Sequence, residues 1–264
     1  MLKSYLKTIL LLLLLIKLIS GYYVSPDDLN KCHSFIDNFK GSRIVEAHKY
    51  NGNPKSADWI NISGNKETYT LKHGLLEAHL LKPRGNRPLG HGVTLNSTYK
   101  LHYGSISITM KPHGAGGVVS AFIVKNGDEI DWECLGGDTN HAQSNYFWNG
   151  ELLYGVNGGI HLIRGKPMNE DFHTYSFDWK PDRIVWKIDG RVVRTLWKKD
   201  TYVFGFYKFP TRPSYVQIGI WDGSSPGTVN WAHGPIKWSS LPDKLTTQIK
   251  QVKVTCDPKH NIIV

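Results

Sequence analysis

Three cysteines in 264 residues allow one disulfide and leave one thiol over. Histidines are more numerous, but none stands at metal-ligand spacing to another or to cysteine. His161 and His173 read as satisfied strand or surface residues, and no metal is expected. No glycine-rich phosphate loop opens a helix and no Ser/His/Asp signature is present, so neither nucleotide chemistry nor a cofactor is implied. Beyond residue 20 the chain lacks a second long apolar run, a repeat and a low-complexity linker, which argues against a further membrane span and a repetitive structural protein. Helical periodicity is almost missing as well. Only 241–252 reads as a short helix.

One apolar stretch does stand out. Lys3 and Lys7 precede the run 9–16, and Ser20-Gly21 supplies small residues before the polar sequence begins. That order is the order of a secretory signal peptide, with an apolar core too short to span a bilayer. The expected organisation is a signal peptide over 1–20 and a single domain over 21–264, secreted, monomeric and without a membrane span once the signal is removed. An uncleaved anchor is the rival reading. In an oxidising compartment Cys32 and Cys256, near the two ends, are the favoured pair, with Cys134 left as a buried thiol; two other pairings stay open. Sequons at Asn61 and Asn96 are expected on surface loops as glycan sites. The formal charge of +10 is scattered rather than clustered, which reads as a solvated surface and not as a nucleic-acid footprint.

What the chain has in quantity is aromatic and β-branched residues in alternation. Nine tryptophans and thirteen tyrosines can fill a sizeable core. In YGSISITMK, Ile106, Ile108 and Met110 alternate with Ser105, Ser107 and Thr109, a half-buried strand. VVSAFIV at 118–124 is continuously apolar, as for a strand covered on both faces. FHTYSFDW alternates again, and RIVWKIDGRVVRTL is a hairpin about the turn Asp189-Gly190. SYVQIGIW and GTVNWAHGPIKW read as two further strands. The fold class expected is all-β, two packed antiparallel sheets.

The stretch GDEIDWECLGGD places Glu129, Asp131 and Glu133 at every second position of an apolar run. On a strand, Ile130 and Trp132 then pack on one face while the three carboxylates crowd the other. The Cα atoms of the two glutamates stand about 13 Å apart at ~3.3 Å per residue. Inward lean of the side chains brings the ~5–5.5 Å gap of a retaining glycosidase within reach. In that chemistry one carboxylate attacks the anomeric carbon and the other protonates the leaving oxygen, then deprotonates the incoming hydroxyl. Crowding raises the pKa of one member, as an acid working near neutrality requires. A solvated strand face or a calcium site is the bland alternative. Like charges destabilise a sheet, however, no matching lysine series is visible, and calcium loops have different spacing.

Glu129-Ile130-Asp131-Trp132-Glu133 resembles the E-[IL]-D-x-E signature of family 16 glycoside hydrolases and transglycosylases. DEIDWE followed by LGGD and QSNYFWNG, then FHTYSFDWKPDRIVWKIDG and IGIWDGSSPGTVNWAHG, is most similar to the fungal Crh-type cell-wall transglycosylases. The resemblance runs from about Leu71 to Trp238. It implies a curved β-jelly-roll sandwich with the signature on a concave face, Glu129 as nucleophile, Glu133 as acid/base and Asp131 assisting. It also implies a polysaccharide partner: chitin as donor, β-glucan or chitin as acceptor, in the cell wall. The family's donor-site Gln, Trp and Thr match Gln217, Trp221 and Thr228. An indole face stacks on a sugar ring while amides and hydroxyls bond its OH groups, which agrees. Gln143 and Asn145, two apart on the next strand, line the cleft or a turn. Trp231, with Tyr146 as a second candidate, is the expected acceptor platform. The chain departs from the pattern in lacking the cysteine-rich N-terminal segment of many relatives, in a shorter segment after Trp221, and in His233 where glycine is usual. A hydrolytic β-1,3-glucanase on the same fold is the nearest alternative; a non-catalytic carbohydrate-binding jelly roll is the next, and has no need of the Glu129/Glu133 pair.

Overall fold

The computed structural model describes residues 30–151 and 156–264, so the leader expected over 1–20 lies outside the described residues. Within them the fold is an all-β jelly roll of two eight-stranded sheets, and helical structure is limited to short 3-10 turns. The front sheet runs, edge to edge, Gly159–Leu162, His141–Phe147, Asp128–Leu135, Val118–Asn126, Ser214–Asp222, Thr94–Leu101, Trp59–Asn61 and Ile44–Glu46. The back sheet runs Arg191–Trp197, Arg183–Ile188, His173–Trp179, Gly104–Lys111, Lys244–Cys256, Leu75–Leu81 and Tyr69–Lys72, with Phe35–Asp37 paired beside Lys244–Cys256. Neighbours are antiparallel except at one edge, where Ile44–Glu46 lies parallel to Trp59–Asn61.

The alternating strands behave as their pattern dictates. Ile106, Ile108 and Met110 are buried, as are Tyr175, Phe177 and Trp179 opposite them. The hairpin turns at Asp189-Gly190, whose φ values of 50° and 75° are both left-handed, as a two-residue turn between twisted strands needs. Val118–Asn126 is buried from Val118 through Val124 on both faces.

Two expectations are corrected. Residues 241–252 are not a helix but part of the long strand Lys244–Cys256. Buried positions there are Leu245, Thr247 and Ile249, then Val252, Val254 and Cys256, because a register shift between Ile249 and Gln251 reverses the parity. That bulge spaces the apolar residues three and four apart and so imitates a helix. GTVNWAHGPIKW is not a strand either. Val229 and Ala232 amides bond back to the Ser225 and Thr228 carbonyls, and the Thr228 hydroxyl bonds Gly223 O at 2.9 Å, winding the segment into overlapping turns. Local hydroxyl bonds of this kind compete with strand pairing.

The Cys32–Cys256 disulfide forms, 224 residues apart in sequence, and Cys134 is free and buried. Neither sequon occupies a surface loop. Asn61 is fully buried, its amide donating to Glu46 and to Asn65 O, and Asn96 lies within Thr94–Leu101.

Between the sheets, indoles interlock. Trp132 of the front sheet donates to Ser176 O of the back at 3.1 Å, and Trp186 of the back donates to Asp131 O of the front at 3.2 Å. Both rings are fully buried, and Phe177 contacts both of them. The signature strand is thereby held from behind at two consecutive residues. Trp186→Phe keeps most of the ring but removes the bond to Asp131 O and leaves part of the buried indole volume empty, so a loss of about 1–3 kcal/mol is expected. Urea unfolding at unchanged slope measures it; an unmoved midpoint would mean that this bond adds no stability.

Candidate active site

The pinned strand Asp128–Leu135 turns Ile130, Trp132 and Cys134 into the core, so Glu129, Asp131 and Glu133 face outward. Strand register arranges their neighbours in rows. Beside Glu129 stand Phe147 on one strand and Lys125 on the other, with Tyr215 beyond Lys125. Beside Asp131 stand Asn145 and Ile123, with Gln217 beyond. Gln143 and Ala121 flank Glu133. Trp221 closes the end of the grid, in register with Val119, which pairs Leu135.

Trp231 comes from the wound segment. Its ring stacks on Trp221 with centroids 5.8 Å apart, and its N–H donates to Gln143 Oε1 at 2.8 Å. Both indoles pack over Val119, Leu135 and Ala232, which explains why Val119, on the outer face of the run at 118–124, is apolar. The two tryptophans therefore form one continuous wall beside Glu133. Gln217 donates to Asn96 Oδ1 at 2.8 Å, so the Asn96 side chain belongs to the cleft face. Gly136 and Gly137 after the strand let this wall close: a Cβ on Gly137 would meet His233 Cβ at 2.2 Å, and one on Gly136 would meet Ala115 O at 2.1 Å. His233 itself has a left-handed φ of 55°, a conformation suited to glycine.

The sequence-derived residues Glu129, Asp131, Glu133, Gln143, Asn145, Gln217, Trp221 and Trp231 thus share one face. Thr228 lies on the loop that carries Trp231, its hydroxyl bonding Gly223 O at 2.9 Å and the Ser225 hydroxyl at 2.7 Å. Tyr146 does not reach the cleft. As the partner of Ile130 it points inward and is buried beneath the Arg194 guanidinium, 5.8 Å from its ring.

Residues 55–240 match the Glycosyl hydrolases family 16 pattern. The chain belongs to that family. It is 40% identical over 181 residues to Probable glycosidase CRR1 of Saccharomyces cerevisiae, covering 62% of this chain and 42% of that protein. It is 35% identical to Congo red hypersensitive protein 2 of the same yeast, covering 86% and 50%. Crh-like protein 2 of Aspergillus fumigatus is 34% identical, over 82% of this chain and 48% of its own. The chain thus spans half or less of the length of these curated relatives. Among solved structures, Crh5 transglycosylase in complex with NAG superposes with a TM-score of 0.70 at 28% identity, covering 86% of this chain and 87% of that one.

Within this family 16 domain the three carboxylates differ in environment. Glu129 pairs with Lys125 at 2.6 Å. Asp131, almost fully buried, is pushed well above the usual carboxylate range by burial first and then by the charges of Glu129 and Glu133, and it shares a hydrogen bond with Glu129. Glu133 is raised to about 7, again by burial first and then by Glu129, with Lys125 opposing. An ionised carboxylate beside a proton-bearing one is the division of labour that two-carboxylate glycoside chemistry needs.

Lys125 has no charge pattern in the sequence to mark it, being one lysine and not a series matched to the three carboxylates. The Asn126-Gly127 turn was the available signal, since it folds Lys125 back opposite Glu129. Removing this cation in Lys125→Met should move the alkaline limb of the kcat/KM profile upward by roughly half a pH unit, with Lys125→Arg restoring it. A downward or absent shift would exclude electrostatic coupling to Glu133. The stability sign follows from the same site. A carboxyl whose folded pKa is raised contributes stability that is fully present below its unfolded value and lost as pH rises through about 7. Glu133→Gln should therefore be more stable than the parent at pH 8 by on the order of 2 kcal/mol, with the gap closing toward pH 4.5. Melting at the two pH values tests it, and a gap that widens on acidification would contradict it.

Proposed function

We propose that this chain cleaves chitin with retention and passes the new reducing end to a β-glucan or chitin acceptor, outside the cell in the wall. The observation that carries the reading is the asymmetry of the outward carboxylates, Glu129 held against Lys125 and Glu133 raised to about 7 by burial and by Glu129. The solved Crh5 transglycosylase with bound NAG, similar over most of both chains, supports the sugar class.

In the first step the Glu129 carboxylate attacks the anomeric carbon while the Glu133 proton goes to the departing glycosidic oxygen. Formation of the ester removes the charge of Glu129, so one cause of the raised Glu133 value disappears while Lys125 remains. Glu133 is then a stronger acid, and its carboxylate form is the base the second step requires. It takes a proton from an acceptor hydroxyl, whose oxygen attacks the anomeric carbon and releases Glu129. Asp131, whose carboxyl is held well above the usual range, shares a hydrogen bond with Glu129 and steadies it as its charge goes and returns. Water at ~55 M competes for the ester, so transfer requires that the acceptor be held at far higher effective concentration. The Trp221–Trp231 wall beside Glu133, with Gln143 and Asn145 on the adjoining strand, is a surface for such holding.

The β-glucanase reading keeps the same first step and lets water win the second; a solved prokaryotic β-1,3-1,4-glucanase similar at 25% identity keeps it in view. Incubation with a chitin oligosaccharide and a labelled β-glucan acceptor separates the two, hybrid product being expected. Glu129→Gln should lower turnover by about 10³ or more with oligosaccharide binding retained. Hydrolysis of β-glucan alone, without hybrid, would replace the transglycosylase reading.

A further inference from the structure

Strands Tyr202–Val203 and Phe206–Tyr207 form a small hairpin separate from both large sheets. Its turn is Phe204-Gly205, with φ of 47° and 98°. A two-residue turn with both positions left-handed ordinarily uses asparagine, aspartate or glycine first, because larger side chains are strained there. Phenylalanine stands there instead, and it is 95% exposed. Tyr202, Phe206 and Tyr207 are exposed by 58%, 45% and 44%. An apolar ring held in water on a strained backbone is an outlier on two independent counts, and such patches mark contact surfaces.

The patch is organised and anchored. Phe206 stacks on Trp148 with centroids 5.4 Å apart, and Tyr202 meets Tyr207 at 5.2 Å. The flanking cations are engaged inside it: Lys208 lies over Trp148 and pairs with Glu151, and Lys198 lies over Tyr207. Trp148 directly follows Phe147, the strand partner of Glu129. Buried Asp128, the residue before Glu129, accepts from Asn149 N at 2.8 Å and from Thr211 and Arg212 N at 2.7 and 3.0 Å. One carboxylate thus ties the loop carrying Trp148 and the chain leaving the hairpin to the start of the catalytic strand. The aromatic platform is thereby anchored, through Trp148 and Asp128, to the two strands that carry Glu129 and its partner Phe147.

We propose that the hairpin 202–207, with Trp148, is an accessory binding element for a neutral polysaccharide chain extending beyond the cleft. Flat ring faces suit the C–H faces of pyranose rings, and the charges beside them are mixed in sign, Lys208 paired with Glu151 and exposed Lys199 next to exposed Asp200, so no single-sign patch favours an anionic partner. The inference rests on the carbohydrate reading of the cleft.

Phe204→Asn, which suits the turn, and Phe204→Asn/Tyr207→Ser are the test variants, made in the full chain. Turnover of a short chitin oligosaccharide should stay within about twofold of the parent. Half-saturation on polymeric chitin or β-glucan should rise about fivefold or more, and depletion from solution by the insoluble polymer should fall to match. Unchanged polymer binding and half-saturation would overturn the proposal. So would loss of sedimentation with phosphatidylcholine–phosphatidylglycerol vesicles while polymer binding persists, which would assign the hairpin to a lipid surface. Polymer depletion is scored independently of turnover, so an inactive parent would count against the catalytic reading and not against this element.

Discussion

Two indole hydrogen bonds running in opposite directions between the sheets hold the strand on which everything else depends. Trp132 reaches back to Ser176 O, and Trp186 reaches forward to Asp131 O. Each places a large apolar ring in the core and satisfies its one donor there, so the bonds cost no unpaired polar group. With two consecutive residues of the strand fixed, its pleat leaves no freedom about which side chains turn outward. A register slip by one residue would bury three carboxylates and expose Trp132, so the apolar core specifies the active face as strongly as it specifies the fold.

That constraint makes the electrostatics possible. Crowded carboxylates would relax apart on a mobile segment, but on a pinned strand their repulsion shifts them toward holding protons. Asp131 is raised because it is buried and faces both glutamates, Glu133 because of burial and Glu129, while Glu129 meets Lys125. Holding three carboxylates on one face costs stability, and the surrounding sandwich, closed by the Cys32–Cys256 disulfide, supplies the reserve.

The outer face also shows how loops complete a site that strands begin. Val119 and Leu135 would be exposed apolar residues on a bare sheet; Trp221, Trp231 and Ala232 cover them and raise a wall beside Glu133. Gly137 admits the loop because a Cβ there would collide with His233, and Gly136 likewise admits the backbone at Ala115. Asp128 plays the corresponding part at the other end, gathering three loop amides on one buried carboxylate.

Period-two alternation was enough to name the all-β class, to locate most strands and to set Glu129, Asp131 and Glu133 on one face, because a strand's side-chain direction is a local property of the backbone. The Asp189-Gly190 hairpin was legible for the same reason, its turn chemistry being contained in two residues. Where local order is interrupted the sequence misled: the bulge near Ile249 shifted parity and mimicked a helix, and hydroxyl bonds about Ser225 and Thr228 wound an apparent strand into turns. What lies opposite what was beyond it. Lys125 against Glu129, Trp231 against both Trp221 and Gln143, Asn96 against Gln217, and Tyr146 turned inward all depend on strand order and loop closure. Those are set by which distant segments share a core, and only the packed tertiary structure decides that.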